Sequence, residues 1–155
     1  MVAEKLKIDF GGGEVPRMKD KGYKSCDILE CADYPRVDFD RNRLPFSDDS
    51  VDEAYSSHCL EHIENTRLFL NELHRVLKKG AIIRFVVPYG LHRGSCKPVH
   101  KQMISECWFD FLRNQNSYRI YGYKRWDIIS DSFVFRKDSL GLIYEMEVLL
   151  TPVKE

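Results

Sequence analysis

The chain has 155 residues with 24 basic and 24 acidic side chains, a formal net charge of zero and a hydrophobic fraction of 43%. That length predicts one domain over residues 1–155 with one core, and the composition excludes a wholly disordered chain. The charge balance supplies no field that would draw in nucleic acid or an anionic membrane, so neither is expected as a partner. The opening stretch MVAEKLKIDF lacks the long apolar core of a signal peptide. No run nears the roughly 20 apolar residues that a bilayer crossing needs, so a soluble, cytoplasmic protein is expected. Cys26, Cys31, Cys59, Cys96 and Cys107 are spread out with no C-x-x-C pair, which favours free thiols over a disulfide framework or a zinc knuckle.

In chain order, Leu6–Phe10 alternates and then meets Gly11-Gly12-Gly13, which predicts a strand stopping at a glycine turn. Residues 14–21, with Pro16 and several charges, predict no helix. Short strands are expected at about Tyr23–Ile28 and near Arg36–Phe39, followed by the polar loop Asp40–Asp49. Val51–Ser57 reads as a strand entering the core. Leu70, Leu73, Val76 and Leu77 then recur at helical spacing with Phe69 beside them, and predict the clearest helix of the chain. Asn65 or Thr66 is placed to cap it, and Gly80 after Lys78-Lys79 to stop it. The β-branched run Ala81–Val87, ended by Pro88, predicts a central parallel strand covered on both faces. A long loop over 88–102 and a shorter helix from Ser105 to Arg113 follow. Tyr118–Phe135 and Leu142–Leu150 then read as two long strands, an antiparallel pair at one sheet edge. The fold class is therefore α/β, with a mostly parallel sheet, a C-terminal antiparallel pair and few helices near the N-terminus. Ligands of such sheets bind beyond the carboxyl ends of the strands.

One stretch, SSHCLEHIEN, contains His58-Cys59-Leu60-Glu61-His62, an H-x-x-E-H spacing. On one helix it would set two imidazoles a turn apart beside a carboxylate, as in an inverted zinc-peptidase site. That site needs the pentapeptide well inside a long helix. Here the helix starts only after Asn65, so no metal is expected. The strand ends carry other ligand-type groups. Asp9-Phe10-Gly11-Gly12-Gly13 lets the backbone bend sharply and lets a ligand approach its amides. Asp27 ends the second strand and can accept both hydroxyls of a ribose. Asp40, followed by Arg41 and Asn42, forms a polar edge suited to a base or sugar. Three such groups at three successive strand ends carry more weight than any one of them.

The segments LKIDFGGG, SCDI, FDRNRLPFSDDSVDEAYSSHCLEHIEN and LNELHRVLKKGAIIRFVVPYG together resemble the class I S-adenosylmethionine-dependent methyltransferases, in particular the small type-11 kind. The resemblance covers residues 5–90 in order. It implies a Rossmann-like methyltransferase sheet and S-adenosyl-L-methionine as cofactor. It also implies a site: Asp9, Gly11, Gly12 and Gly13 cradle the methionine part, and Asp27 holds the ribose diol. Asp40 with Arg41 lies near the adenine amino group, and Ser57 and His58 lie beneath the sulfonium. Val15 stands where the family often has a third glycine, and Lys78-Lys79-Gly80-Ala81 replaces the more usual K-P-G-G. The front end has room for little more than loops, which leaves one face of the sheet thin. Either a second copy covers that face, making a homodimer, or the pocket is shallow and binding is weak.

The implied activity is methyl transfer to a small molecule or glycan precursor. The alternative is a methyltransferase-like binding or assembly module that holds the cofactor weakly or not at all. Transfer needs an oriented acceptor and, for an oxygen or nitrogen acceptor, a base, a role that suits histidine. The candidates are His58, His62, His92 and His100, with Tyr89 as an orienting hydroxyl. His100, in KPVHKQM, is the first choice and His62 the second. The stretch SYRIYGYKRWDII interleaves aromatic and basic residues. With zero net charge, an amphipathic edge strand is favoured there over a surface for single-stranded RNA.

Overall fold

In the computed structural model, which describes residues 4–14, 16–30, 33–90, 92–129 and 133–155, the alternating segments become strands where the sequence places them most clearly. Val15 and Cys31 lie outside the described residues. Four strands run parallel: β1 (Lys7–Phe10), β2 (Lys24–Cys26), β3 (Val51–Ser57) and β4 (Leu77–Pro88). Three more, β5 (Trp126–Ile128), β6 (Val134–Lys137) and β7 (Ile143–Pro152), add antiparallel pairing. The sheet order is β2-β1-β3-β4-β7-β5, with β6 also on β7.

Register explains the core. Ile8, Ala54, Ile83 and Leu150 stand side by side across four strands, each no more than 2% exposed. Phe10, Phe85 and Val148 repeat the pattern two residues on. Helix α1 (Thr66–Val76) buries Phe69, Leu70, Leu73 and Val76 in the same core. Phe69 stacks on Phe39 at 4.8 Å and meets Phe10 edge-on at 6.2 Å. Each such side chain contributes about 1.5–3 kcal/mol by leaving water. Asn65 caps α1, its side-chain oxygen accepting from Leu68 N. At its other end Arg75 donates to Glu72 at 2.9 and 2.6 Å and to the carbonyls of Leu44 and Phe46, while Glu72 accepts from Leu44 N. This clasp ties the Leu44–Phe46 segment to the end of α1.

The opposite face of the sheet is thin, as the short front end implies. Among the described residues, a single helical turn, Lys19–Lys21, lies between β1 and β2, and no helix lies between β2 and β3. Charged ladders take the place of helices. Lys5 and Lys7 each reach Glu53 at 3.4 Å, Arg84 reaches Glu147 at 3.2 Å, and Arg136 bridges Glu147 and Glu145. Such pairs add little stability individually, but they make this face compatible with water.

Four expectations are corrected. Residues 36–39 form no strand; Val37 N bonds to Asp27 O and the apolar side chains of Val37 and Phe39 plug the core from a loop. Their alternation reflects burial without a ladder partner, and β2 is left as the sheet edge. Gly80 does not stop α1: the helix ends at Val76, and Gly80 lies inside β4 with φ 79°, where the pairing with β3 shifts register. β4 is buried on both faces only over Phe85–Pro88, because Ile82 and Arg84 face solvent. Finally, Tyr118–Phe135 is not one strand. Asn114 caps a short helix, α3 (Gln115–Arg119), which follows α2 (Glu106–Arg113). Beyond Gly122 at φ 73° the strand resumes only as β5, with β6 farther along the same edge of β7. The aromatic-basic stretch is thus divided between helix, loop and strand, with Trp126 buried and the Tyr123 hydroxyl 3.0 Å from Thr66 Oγ1. Among the described residues, no helix is long and apolar enough to cross a membrane.

Candidate active site

The glycine turn after β1 is shaped by what surrounds it. A Cβ on Gly11, whose φ is 80°, would lie 2.4 Å from Cys59 Cβ. Glycine is what lets this turn touch the loop after β3. A Cβ on Gly12 would come within 2.9 Å of Asp9 Cγ and Ser25 Oγ. Gly13 N donates to Asp27 Oδ2 and Leu29 N to Asp27 Oδ1, both at 2.8 Å. Ser25 Oγ donates to Gly13 O at 2.6 Å. Asp27 therefore joins the end of β2 to the turn, with carboxylate lone pairs to spare for a ligand. Asp9 is 1% exposed. Its Oδ2 accepts from Arg17 N, and its Oδ1 has no hydrogen-bond partner. Burial raises its pKa to about 6, against the opposing backbone bond and charge of Arg17. Gly11→Ala is expected to cost about 2–4 kcal/mol through steric overlap and backbone strain. Cys59→Gly in the same chain should restore part of that loss in urea unfolding.

A cleft of about 230 Å³ opens at the carboxyl ends of β1, β2 and β3. Gly11, Asp27, Asp40, His58 and His62 line it, joined by Ile28, Asp38, Phe39, Cys59 and Ile63. Asp9, Gly12 and Gly13 form the turn behind the lining, and Ser57 is buried beside His58 with its Oγ unpartnered. Asp40 Oδ1 accepts from Asn65 N at 2.7 Å, which ties the cleft rim to the cap of α1. Arg41 is the residue that the structure does not bring in: it is largely exposed and pairs with Asp38 at 3.6 Å. Of the residues missed from sequence, Ile28 carried a signal, an apolar side chain directly after a strand-end acid, and it is 44% exposed. A larger open depression, about 830 Å³, continues from Ile28 over Asp33–Arg36. The smaller cleft lies below the ~300–1,000 Å³ of typical ligand sites.

The histidines separate into distinct roles. His58 follows β3 in the left-handed region, φ 52°. Its Nε2 lies 2.6 Å from Glu145 Oε2 and its Nδ1 3.5 Å from Glu61 Oε1. Glu61 and then Glu145, opposed by burial, raise its pKa, so His58 is poorly placed to act as a base. His92 pairs with Asp138 at 3.3 Å and the Tyr89 hydroxyl donates to Glu106 at 2.9 Å, so both are engaged outside the cleft lining. Cys59 is held as a thiol by burial and by the charges of Asp27 and Glu61. Residues 60–62 form a single tight turn and not a long helix, so His58 and His62 do not stand one turn apart. His62 instead meets His100, ring centroids 4.8 Å apart and nearly perpendicular. The loop carrying His100 is pinned there by Lys101 N and Gln102 N, which both donate to Glu61 O.

Comparison with known proteins places the fold. The profile of the family described as Methyltransferase domain matches residues 7–85, just over half the chain. Among curated proteins, none matches the sequence. An S-adenosylmethionine-dependent methyltransferase from Mesorhizobium loti superposes with a TM-score of 0.66 at 17% identity, covering 97% of this chain and 92% of that one. A methyltransferase from Methanosarcina mazei gives 0.63 at 16% identity, covering 99% and 95%. A chain in the complex between the Haloferax volcanii Trm112 methyltransferase activator and a methyltransferase gives 0.62 at 18%, covering 100% and 86%. Sheet order, strand-end cleft and sequence profile converge: the chain belongs to the methyltransferase-domain family and is an S-adenosylmethionine-dependent enzyme.

Proposed function

We propose that this enzyme methylates a small hydroxyl-bearing molecule or a glycan precursor in the cytoplasm. The observation that carries this reading is the pair His62–His100 on the rim of the strand-end cleft. The residues fit the cofactor. Gly13 leaves open space where a side chain would stand, and Asp27 presents a carboxylate to the cleft beside the exposed Ile28. When bound, the cofactor supplies a methyl group on a positively charged sulfur. Asp27 would take the ribose hydroxyls, the Gly11–Gly13 turn the methionine end, and Asp40 the adenine edge. Asp9, directly behind the turn, adds negative charge when ionised.

Toward the acceptor, each histidine has its Nδ1 against a backbone carbonyl, His62 with Val99 O at 3.2 Å and His100 with Ser95 O at 2.8 Å. With Nδ1–H donating, the Nε2 lone pair of each ring is left to receive a proton. The zero net charge, and a cleft lining that carries no Lys or Arg among the described residues, favour a neutral acceptor over nucleic acid. The small cleft leaves part of the cofactor uncovered, and a second copy docked at the β2 edge would complete it. The test is transfer of labelled methyl from S-adenosylmethionine to panels of polyols, sugars and RNA. Label on the hydroxyl acceptors supports the reading. Label on RNA alone contradicts the substrate class, and no label on any acceptor favours a cofactor-binding module.

A further inference from the structure

Glu61 is a buried carboxylate beside the cleft. It is 1% exposed, and neither of its side-chain oxygens has a hydrogen-bond partner. Its ion-pair neighbours, His58 Nδ1 at 3.5 Å and His62 Nε2 at 4.0 Å, stand off without a hydrogen bond, and a carboxylate buried in that way is costly. Around it, Glu61, His62 and His100 each offer one donor atom, all within 4.8 Å of one another. The separation from His62 Nε2 to Glu61 Oε1 is 4.0 Å. Both imidazoles have a backbone carbonyl behind them, as metal-binding histidines commonly do. Their Nδ1 atoms lie against the carbonyls of Val99 and Ser95, which fixes the rings and leaves Nε2 for a ligand. The Glu61 carbonyl holds the His100 loop through Lys101 N at 2.6 Å and Gln102 N at 3.1 Å.

We propose that Glu61, His62 and His100 form a binding site for a divalent first-row transition ion at the rim of the cofactor cleft. Two imidazoles and one carboxylate suit zinc or iron(II) and leave coordination positions open. Magnesium, which prefers an all-oxygen octahedron, is disfavoured. Bonds of ~2.0–2.1 Å place tetrahedral ligand atoms about 3.4 Å apart, so binding draws these donors together by roughly 1 Å. His62 also lines the cleft. Under the proposed function, whose truth the ion site does not require, the open positions would take a hydroxyl oxygen of the acceptor, and the ion, in place of the free Nε2 lone pairs, would ease loss of its proton. This site differs from the H-x-x-E-H peptidase arrangement because His58 is committed to Glu145 and its place is taken by His100 from a distant loop.

The experiment is zinc titration of the chelator-stripped full-length protein against a chromophoric competitor, with cobalt(II) spectra alongside. One zinc ion per chain should bind with sub-micromolar affinity, and magnesium should not compete. Glu61→Gln, His62→Ala and His100→Ala should each weaken zinc at least tenfold with unchanged far-ultraviolet circular dichroism. His100→Ala alters only a partly exposed loop residue and so keeps the test readable if Glu61→Gln misfolds. Cobalt should show visible bands without thiolate charge transfer. Absence of saturable binding overturns the proposal. So does affinity that survives all three variants but falls in Cys96→Ser or Cys107→Ser. Titration of the same stripped protein with S-adenosylmethionine reports separately on the cofactor cleft.

Discussion

Arg75→Ala is expected to lower the unfolding free energy by about 3–5 kcal/mol, the cost of stranding a buried ion-pair partner. The guanidinium serves Glu72 twice and the carbonyls of Leu44 and Phe46, and it reaches the more exposed Asp48 at 2.8 Å. Removing it leaves the Glu72 carboxylate, 12% exposed, beside two carbonyls that have lost their donor. Glu72→Ala removes the acceptor of Leu44 N and should be similarly damaging. The double variant should cost clearly less than the two single changes added, because each single change strands the other's partner. Urea unfolding of the four proteins measures this coupling. Simple additivity would mean that the clasp is ornamental.

The second large effect is a dependence on pH. Asp9 has a folded-state pKa of about 6 against an ordinary 3.8, chiefly because burial disfavours its charge, with Asp27 adding to the rise and Arg17 opposing it. Between those values the folded chain holds a proton that the unfolded chain has released, so stability falls as pH rises. The contribution is fully present below pH 3.8 and is lost as pH passes through 6, up to about 3 kcal/mol in all. Asp9→Asn keeps a side-chain oxygen for Arg17 N and cannot ionise. The variant should therefore be more stable than the wild type at pH 8 and no more stable near pH 4. Urea midpoints of both proteins at pH 4, 6 and 8 check this, and taking the difference cancels other titrating groups. A parallel pH dependence in the two proteins would contradict the assignment. The ionised carboxylate is also the form that favours a cationic ligand at the turn, so affinity for S-adenosylmethionine should rise with pH through 6.

Much of this molecule was legible because short-range rules carried it. The alternation of Lys7–Phe10, the cap at Asn65 and the helical spacing of Leu70, Leu73 and Val76 each act within a few residues. Asp27 reaches the cleft because it directly follows β2, whereas Asp40 reaches it from a turn, held by Asn65 N. What could not be read depends on partners distant in sequence. Val37 and Phe39 alternate like a strand yet find no ladder, because their side chains serve the core from a loop. Gly80 resembles a helix stop, but its positive φ serves a shift in register against β3. Arg41 looked like part of the cleft from its neighbour Asp40, but its side chain turns to Asp38. The meeting of His62 with His100 is set by two backbone bonds to Glu61 O, which no local pattern announces.

S-adenosylmethionine is expected to bind in the cleft between the Gly11–Gly13 turn and Asp27. Calorimetric titration of wild-type protein and Asp27→Ala with S-adenosylmethionine and S-adenosylhomocysteine tests it most directly. Two charge-assisted hydrogen bonds at ~1.5–3 kcal/mol each predict a loss of roughly 100-fold or more in the variant. That loss should be similar for both ligands, because the ribose is common to them. Saturable wild-type binding, one ligand per chain, that Asp27→Ala removes is the expected result. Failure of the wild type to bind either ligand, or equal affinity in the variant, would contradict it.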